Sequence, residues 1–266
     1  MLASQRQQHI VDQVRRDGGV RVSELVEQLG VSDMTIRRDI EVLAGRGLVT
    51  RVHGGATAVA GRSADEPGFA AKSTLQLAEK RAIAVAAARL VEPGAAVAIS
   101  AGTTTHAVAR AVAAVPDLTV VTNSLPVADV LHATGRRDLT VVLTGGVRTP
   151  SDALVGPVAV ASLRTLHVDW VFLGVHGVDE QAGLTTPNLV EAETDRAMIT
   201  SARRVAVVAD HTKWGLVGLA SITALDDVDV LITDAGLPEA ARRTLAARVG
   251  TLVVADVAAQ VDGAVA

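Results

Sequence analysis

Seven strand-length runs rich in valine, isoleucine and leucine constrain the fold of this 266-residue chain more than any other feature. The runs occupy residues 96–100, 118–123, 139–146, 169–177, 204–210, 229–234 and 251–256. Each is almost continuously apolar, which is typical of strands buried on both faces of a sheet. Helical patterns separate several of the runs. We therefore expect an α/β domain with a mainly parallel sheet.

The composition excludes several classes of protein. The chain has no cysteine, so it can hold neither a disulfide framework nor a thiolate site. It is 49% hydrophobic, enough to bury a sizeable core, yet no apolar run is long enough to span a membrane. The N-terminal residues are polar and lack the pattern of a signal peptide. We therefore expect a cytoplasmic protein with no membrane partner, and we predict neither a metal nor a cofactor.

The stretch VSDMTIRRDI at residues 31–40 has the pattern of a short amphipathic helix. Ser32 can cap its N-terminus. Ile36, Ile40 and Leu43 form one apolar stripe, which must be the core side. A second short helix precedes this one across a tight turn, so the pair has the helix-turn-helix arrangement.

In that arrangement the second helix enters the major groove of DNA. An arginine there can donate two hydrogen bonds to a guanine or can pair with a phosphate. Residues 1–57 hold eight arginines and seven acids, so binding would depend on where the charges sit. The two arginines can also be ordinary solvent-exposed charges that bind nothing. The predicted DNA-binding residues of this helix and its cap are Ser32, Met34, Thr35, Arg37 and Arg38.

A hairpin is predicted directly after the helix pair. Residues 47–59 alternate polar and apolar positions around Gly54 and Gly55, and a tight hairpin turn needs the positive φ that glycine allows. A helix-turn-helix followed by a hairpin is a winged helix. Arg51 and His53 would then lie on the wing, beside the phosphate backbone or the minor groove.

The stretch VSELVEQLGVSDMTIRRDIEVLAGRGLVTRVHGGA resembles the DNA-binding head of the DeoR family of bacterial transcription regulators. The family signature combines a VS-x-x-TIRRDL helix with a wing that ends in HGGA, and Ile40 stands where the family often has leucine. The resemblance implies a regulator, most often a repressor. It also implies operator DNA with repeated half-sites and a homodimer or homotetramer.

Residues 58–74 are rich in small residues and lack apolar periodicity, which indicates a linker. The predicted domains are therefore a winged helix-turn-helix at residues 1–57 and an α/β domain at residues 75–266.

Polar loops follow several predicted strands at their carboxyl ends, where α/β sheets bind ligands. A glycine and three threonines open a helix after the first run, which suits a phosphate. Lys213, one of three lysines in the chain, can supply a point charge for an anion. Any one of these loops can be a plain turn, but together they predict a phosphate-bearing ligand. The candidate ligand residues are Gly102, Thr103, Thr104, Thr105, Asn123, Ser124, Gly145, Gly146, His176, Asp179, Asp210 and Lys213.

Residues 75–256 also resemble the sensor domain of the DeoR family, whose fold is similar to ribose-5-phosphate isomerase. The D-S-G-T-T loop of the family aligns with residues 100–104, where Ser100 and Ala101 replace an acid and a hydroxyl residue. The resemblance implies a small phosphorylated sugar as effector. The two departures fall at the sugar end of the site.

The leading hypothesis is a DNA-binding regulator of a carbohydrate-metabolism operon, controlled by a phosphorylated sugar. The alternative is a sugar-phosphate isomerase carrying a DNA-binding head, with Asp179, Asp210 or Glu191 as general base and Lys213 steadying an enediolate. A winged helix has no role in such an enzyme, and the acid at position 100 is missing, so we predict no enzymatic activity. A nicotinamide-sensing repressor would need a G-x-G-x-x-G turn, which the sequence lacks.

Overall fold

The computed structural model describes residues 3–17, 19–45, 48–52, 54–57 and 68–257. Contacts between Cα atoms divide the chain into two compact units, the head (Met1–Arg62) and the C-terminal unit (Ser63–Ala266). The predicted linker overlaps this division. Its first part, residues 58–67, lies outside the described residues, and its last part contains a short helix of the C-terminal unit.

The head, as far as it is described, combines three helices with a three-stranded antiparallel sheet. Its elements are α1 (Ala3–Asp17), β1 (Gly19–Arg21), α2 (Val22–Leu29), α3 (Asp33–Gly45), β2 (Thr50–Val52) and β3 (Gly55–Thr57). β3 pairs with both β1 and β2. The β2–β3 turn passes through Gly54 at a φ of 79°, a conformation that favours glycine. Helices α2 and α3 followed by this hairpin confirm the predicted winged helix-turn-helix.

One apolar cluster holds the head together. Ile36, Ile40 and Leu43 of α3 are buried, and they belong to the same cluster as Ile10 of α1 and Leu25 of α2. The apolar stripe of α3 therefore faces the core, as its spacing predicts. Each such side chain stabilises the fold by about 1.5–3 kcal/mol relative to an exposed position.

A buried ion pair joins α1 to α3. The Nε atom of Arg6 donates to Oδ2 of Asp39 at 2.5 Å, and Nε2 of Gln7 donates to Oδ1 of Asp39 at 2.9 Å. The side chains of Arg6 and Asp39 are only 11% and 7% exposed. Asp39 directly follows the arginine pair in the sequence, yet it anchors α1 to the inner side of α3.

The turn between α2 and α3 is set by two local interactions. Gly30 adopts a φ of 63°, and its amide donates to the carbonyl of Val26 at 3.0 Å, which ends α2. The hydroxyl of Ser32 accepts from the amide of Thr35 at 3.3 Å, so Ser32 caps α3 as predicted.

The C-terminal unit contains helices on both sides of a large sheet. Its helices are α4 (Phe69–Ser73), α5 (Leu77–Ala88), α6 (Thr103–Val112), α7 (Leu125–His132), α8 (Pro157–Leu163), α9 (Leu189–Ser201) and α10 (Glu239–Arg248). Its strands are β4 (Ala96–Ile99), β5 (Thr119–Thr122), β6 (Thr140–Leu143), β7 (Val147–Arg148), β8 (Leu154–Val155), β9 (Val168–Gly174), β10 (Gly177–Asp179), β11 (Gly183–Thr186), β12 (Ala202–Val208), β13 (Ala220–Thr223), β14 (Val230–Asp234) and β15 (Thr251–Ala255). In the part of the chain that is described, no helix is both long and apolar enough to cross a membrane.

All seven predicted runs form strands of one parallel sheet, in the order β15-β14-β12-β9-β4-β5-β6. Helices α5, α6 and α7 contribute to the apolar layer on one face, and α8, α9 and α10 to the layer on the other. In β9, Val171 and Leu173 belong to one layer, while Trp170 and Phe172 belong to the other. This two-sided burial is why the runs lack apolar–polar alternation. It confirms the predicted α/β architecture.

Two features of this unit depart from the sequence expectation. Strands β6 and β15 form the two edges of the sheet and each has two exposed residues, so these two runs are not buried on both faces. A small antiparallel sheet, β10-β11-β13, and a hairpin, β7–β8, were not predicted. Their strands have only two to four residues each, too few to produce a periodic pattern.

Candidate DNA-binding surface and ligand cleft

The outer face of α3 carries the side chains that the sequence assigned to DNA. Met34 is 76% exposed although it is apolar. Arg38 is also exposed, and among the described residues its side chain makes no hydrogen bond or ion pair. The guanidinium of Arg38 is therefore free to donate to a base or a phosphate. Thr35 shares a hydrogen bond of 2.8 Å with the Ser32 hydroxyl at the start of the helix.

Two other arginines of the head are held by acids. Arg37 donates to Asp33 from Nε at 2.5 Å and from Nη2 at 3.2 Å, and this carboxylate raises the pKa of Arg37. Nη1 of Arg51 on the wing donates to Oε1 of Glu41 on α3 at 2.6 Å, which ties the hairpin to the helix. Such exposed pairs stabilise a protein little, so neither acid would prevent its arginine from binding a DNA phosphate. His53 lies outside the described residues.

A polar cleft lies in the C-terminal unit, along the loops that follow the strands. Half of the predicted ligand residues line this cleft. Five further polar residues that were not predicted as ligand residues line it as well. The predicted lining residues are Gly102, Thr103, Thr104, Asn123, His176 and Lys213. The additional ones include Lys72, Ser151, Thr186 and Asp195, together with Glu191, which was considered only as a base of the alternative enzyme.

The loop that begins α6 is built for a close approach of backbone to ligand. Gly102 has a φ of 149°, and a Cβ there would lie 3.1 Å from Oγ1 of Thr105. The Thr105 hydroxyl donates to the Gly102 carbonyl at 3.0 Å, so Thr105 stabilises the turn from within. The side chain of Asn123 accepts from the Ala101 amide at 2.9 Å and holds the loop against the neighbouring strand end. Gly102, Thr103 and Thr104 line the cleft, which therefore lies at the positive end of the α6 dipole.

Ser100 has a structural role in this loop. Its hydroxyl accepts from the amide of Gly174 at 2.9 Å, which links the ends of β4 and β9. Ala101 lines the cleft without a polar side chain. Of the two departures from the family loop, only that at Ala101 lies on the cleft wall, whereas Ser100 is buried behind it.

All three lysines of the chain lie at this end of the sheet. Lys72 and Lys213 line the cleft, and the Lys213 ammonium has no hydrogen bond or ion pair within the described residues. Lys80 is buried, and its ammonium donates to the carbonyls of Lys72 and Leu75 at 2.7 and 2.6 Å. Burial lowers the pKa of Lys80 to about 8, although the nearby Asp210 carboxylate opposes the shift. Lys80 thereby fixes the segment that presents Lys72, which the sequence had assigned to a linker.

Helix α9 brings two acids to the cleft, one turn apart. The carboxylate of Glu191 accepts from the hydroxyls of Thr149 at 3.0 Å and Thr186 at 3.1 Å, and from that of Ser151. Asp195 is 8% exposed, and within the described part of the chain its carboxyl group has no hydrogen-bond donor. Burial raises the pKa of Asp195 well above its usual value, and the Glu191 charge adds to the shift. The i,i+4 spacing of two acids on a helix was the available sequence signal for this pair.

Six predicted ligand residues do not line the cleft, and four of them shape the backbone instead. Thr105 holds the α6 turn as described above. The Ser124 hydroxyl accepts from the amide of Val127 at 3.4 Å and caps α7. Gly145 and Gly146 make the turn before β7, where a Cβ on Gly146 would come within 2.5 Å of the Val155 carbonyl oxygen.

The other two predicted residues that do not line the cleft are Asp179 and Asp210. The carboxylate of each accepts hydrogen bonds within its own turn. Asp179 lies in the β10–β11 hairpin, where its carboxylate accepts from the amides of Gln181 and Ala182, both at 2.8 Å. Asp210 is buried and accepts from the amide of Thr212 at 3.1 Å. Acids at strand ends are common helix and turn caps, and the sequence alone could not separate that role from ligand binding.

Replacing Asp195 by asparagine is expected to raise the stability of the ligand-free protein, by more at neutral than at acidic pH. An unfolded aspartate ionises near pH ~3.9, whereas the folded state favours the protonated acid. Folding therefore loses free energy as the pH rises above that value, and asparagine avoids the loss. Thermal unfolding at about pH 5 and about pH 7.5 measures the effect. An equal or larger gain in Tm at the lower pH would contradict it.

The head is a winged helix-turn-helix with an exposed arginine on the outer face of α3, and the same chain carries an α/β unit with a polar cleft. Together these two units define a DNA-binding transcription regulator. Two family models match the chain: the DeoR-like helix-turn-helix domain over residues 6–61 and the DeoR C terminal sensor domain over residues 75–235. The chain belongs to the DeoR family.

Curated relatives cover almost the whole chain. It is 37% identical to an HTH-type transcriptional regulator of Escherichia coli K12, YgbI, over 96% of this chain and 99% of that protein. It is 35% identical to the glycerol-3-phosphate regulon repressor of the same strain (92% and 96%), and 36% identical to a putative aga operon transcriptional repressor of Escherichia coli O157:H7 (88% and 87%). A solved structure of ribose 5 phosphate isomerase A from Neisseria gonorrhoeae aligns with 14% identity and a TM-score of 0.38, over 51% of this chain and 52% of its own.

Proposed function

We propose that this protein is a repressor whose affinity for operator DNA is controlled by a phosphorylated sugar bound in the cleft. One observation carries the proposal: Lys213 lines the same cleft as the start of α6. Its ammonium makes no hydrogen bond or ion pair with the described residues. A phosphate is the group that this arrangement suits best, because it can accept from the exposed amides, from the threonine hydroxyls and from the lysine.

Control of DNA binding requires that the ligand has different affinities for two states of the protein. A coupling free energy of about 1–3 kcal/mol between the two sites is typical of such regulators. The protein is proposed to act as a homodimer or homotetramer on repeated half-sites, because a symmetric pair of heads reads a symmetric operator. As a regulator of chromosomal genes it would act in the cytoplasm.

The isomerase alternative is less favoured. Asp179 and Asp210 are engaged by local turns and do not line the cleft, while Glu191 accepts from three hydroxyls. A general base needs access to a substrate proton. The relatives that cover most of the chain are named as transcriptional regulators, which supports regulation over catalysis.

A two-part binding experiment tests the proposal. The purified protein is titrated against DNA upstream of its own operon in a gel shift, and a thermal-shift screen compares phosphorylated sugars with the same sugars lacking phosphate. We expect a preference for one promoter fragment, a rise in Tm with phosphorylated compounds alone, and release of the fragment by the best of them. Failure to prefer any fragment, with or without metabolite, would end the proposal.

Replacing Lys213 by alanine is expected to weaken binding of phosphorylated sugars about tenfold or more, since a hydrogen bond to a charged group is worth about 1.5–3 kcal/mol. Isothermal titration measures the loss. Arg203→Ala is the matched control, because this side chain of β12 is 82% exposed and its removal also deletes one positive charge. Equal affinities of the Lys213 variant and the control would exclude a role for Lys213.

A further inference from the structure

Two ionisable side chains in the cleft make no hydrogen bond or ion pair in the described part of the chain, and their charges are of opposite sign. One is the Lys213 ammonium, which the proposed function assigns to a phosphate. The other is the Asp195 carboxyl group on α9, which lines the same cleft and is more than nine-tenths buried. Glu191 precedes Asp195 by one helical turn and also lines the cleft, so two acids share one wall.

A buried acid without a hydrogen-bond donor beside a second acid is costly for the ligand-free protein. Its ionisation is opposed by burial and by the charge of Glu191, and the charge of Arg196 offsets these two effects only in part. Asparagine has nearly the same shape and would carry neither penalty. The arrangement becomes favourable only when a positive group enters the cleft, because a cation lets Asp195 ionise and compensates both carboxylates at once.

The hydrogen bonds around Glu191 also favour a positively charged group in the cleft. Hydroxyls of Thr149 and Ser151, from the β7–β8 turn, and of Thr186, from β11, donate to its carboxylate and hold it in one orientation. The cleft thus has an anion-binding part at Lys213 and the start of α6, and a fixed acidic part on α9. A ligand that matches both parts is zwitterionic.

We propose that the effector is a phosphorylated amino compound, such as an amino-sugar phosphate, whose protonated amine binds between Asp195 and Glu191. This inference rests on the proposed function, since it assigns the phosphate to the other end of the same cleft. An ammonium supplies three donors and a full charge, so its hydrogen bonds to carboxylates are charge-assisted. A hydroxyl at the same place supplies one donor and no charge.

Matched pairs of ligands test the proposal on the full-length protein. Isothermal titration compares glucosamine 6-phosphate with glucose 6-phosphate, and galactosamine 6-phosphate with galactose 6-phosphate. The N-acetylated amino sugars, in which the amine is neutral, serve as a third arm. We expect the amine of at least one pair to bind about 10- to 100-fold tighter than both of its neutral counterparts.

Two outcomes separate this inference from the proposed function. The first outcome is that the amino and neutral phosphates bind within threefold of each other in every pair, or that the neutral ones bind tighter. The acidic wall then does not bind an amine, so the inference is wrong while the proposed function stands. If none of the phosphorylated compounds binds, the proposed phosphate site fails and the inference fails with it.

Variants assign the preference to the acidic wall. Asp195→Asn is expected to reduce the preference for the amine to threefold or less while leaving affinity for the neutral phosphate within threefold of wild type. Glu193→Gln is the control, because Glu193 lies on the same helix but does not line this cleft. Unchanged fluorescence of Trp170 and Trp214 verifies folding. An amine preference that survives Asp195→Asn overturns the inference.

Discussion

Replacing Asp39 by alanine is expected to unfold the head while the C-terminal unit stays folded. The change would leave the buried Arg6 guanidinium without its acid and Gln7 without its acceptor. Removing one partner of a buried ion pair costs about 3–5 kcal/mol. A whole domain is stable by only about 5–15 kcal/mol, so this loss is a large part of the total for so small a unit.

The two units can be observed separately in the intact chain. Both tryptophans, Trp170 and Trp214, lie in the C-terminal unit, so their fluorescence during denaturation reports on that unit alone. Amide hydrogen exchange of α1 and α3 reports on the head.

The control variant is Asp33→Ala, which breaks an exposed pair on the same helix and should cost much less stability, because exposed ion pairs contribute little. If exchange protection of α1 and α3 falls no further in Asp39→Ala than in this control, the ion pair does not stabilise the head.

Replacing Arg38 by alanine is expected to weaken operator binding by about 1–3 kcal/mol, or roughly 5- to 150-fold, if the side chain contacts a guanine. Part of the discrimination between operator and random DNA should be lost as well, because a base contact contributes to specificity. The head should remain folded, since Arg38 is exposed and has no partner among the described residues.

Gel-shift titrations against the operator and against a scrambled sequence measure both effects, and thermal shifts with the sugar phosphates should be the same as in wild type. Arg203→Ala again deletes one charge at an exposed site and serves as the control. An operator affinity equal to that of the control would remove Arg38 from the DNA interface. An equal loss on both DNA sequences would assign Arg38 to a phosphate instead.

The elements with repeating patterns could be predicted because their patterns follow from burial. The seven strands of the sheet are apolar on both faces, and the α3 stripe recurs at helical spacing, so each is visible within a few neighbouring residues. The α6 loop was predictable for a similar local reason, because its glycine turn and its threonines are adjacent in the sequence. The shortest strands, β7 and β8, have no pattern to read.

Side-chain roles that depend on distant partners could not be predicted in the same way. Asp39 has the sequence neighbours of a DNA-binding residue, yet its partners lie more than thirty positions away on α1. Lys72 lies in a segment that resembles a linker, and it reaches the cleft because α4 belongs to the C-terminal unit. Asp179 and Asp210 have the chemistry of ligand residues but are used by their own turns.

Local sequence alone therefore determined the two folds, the amphipathic helix α3 and the glycine-threonine loop that begins α6, because helices, parallel strands and glycine turns are encoded by residues close together in the chain. Only the tertiary structure decided which charged side chains are free to meet a ligand. Whether an acid or a lysine is satisfied depends on donors and acceptors brought from remote segments. Three hydroxyls donate to Glu191, whereas no described residue donates a hydrogen bond to Asp195.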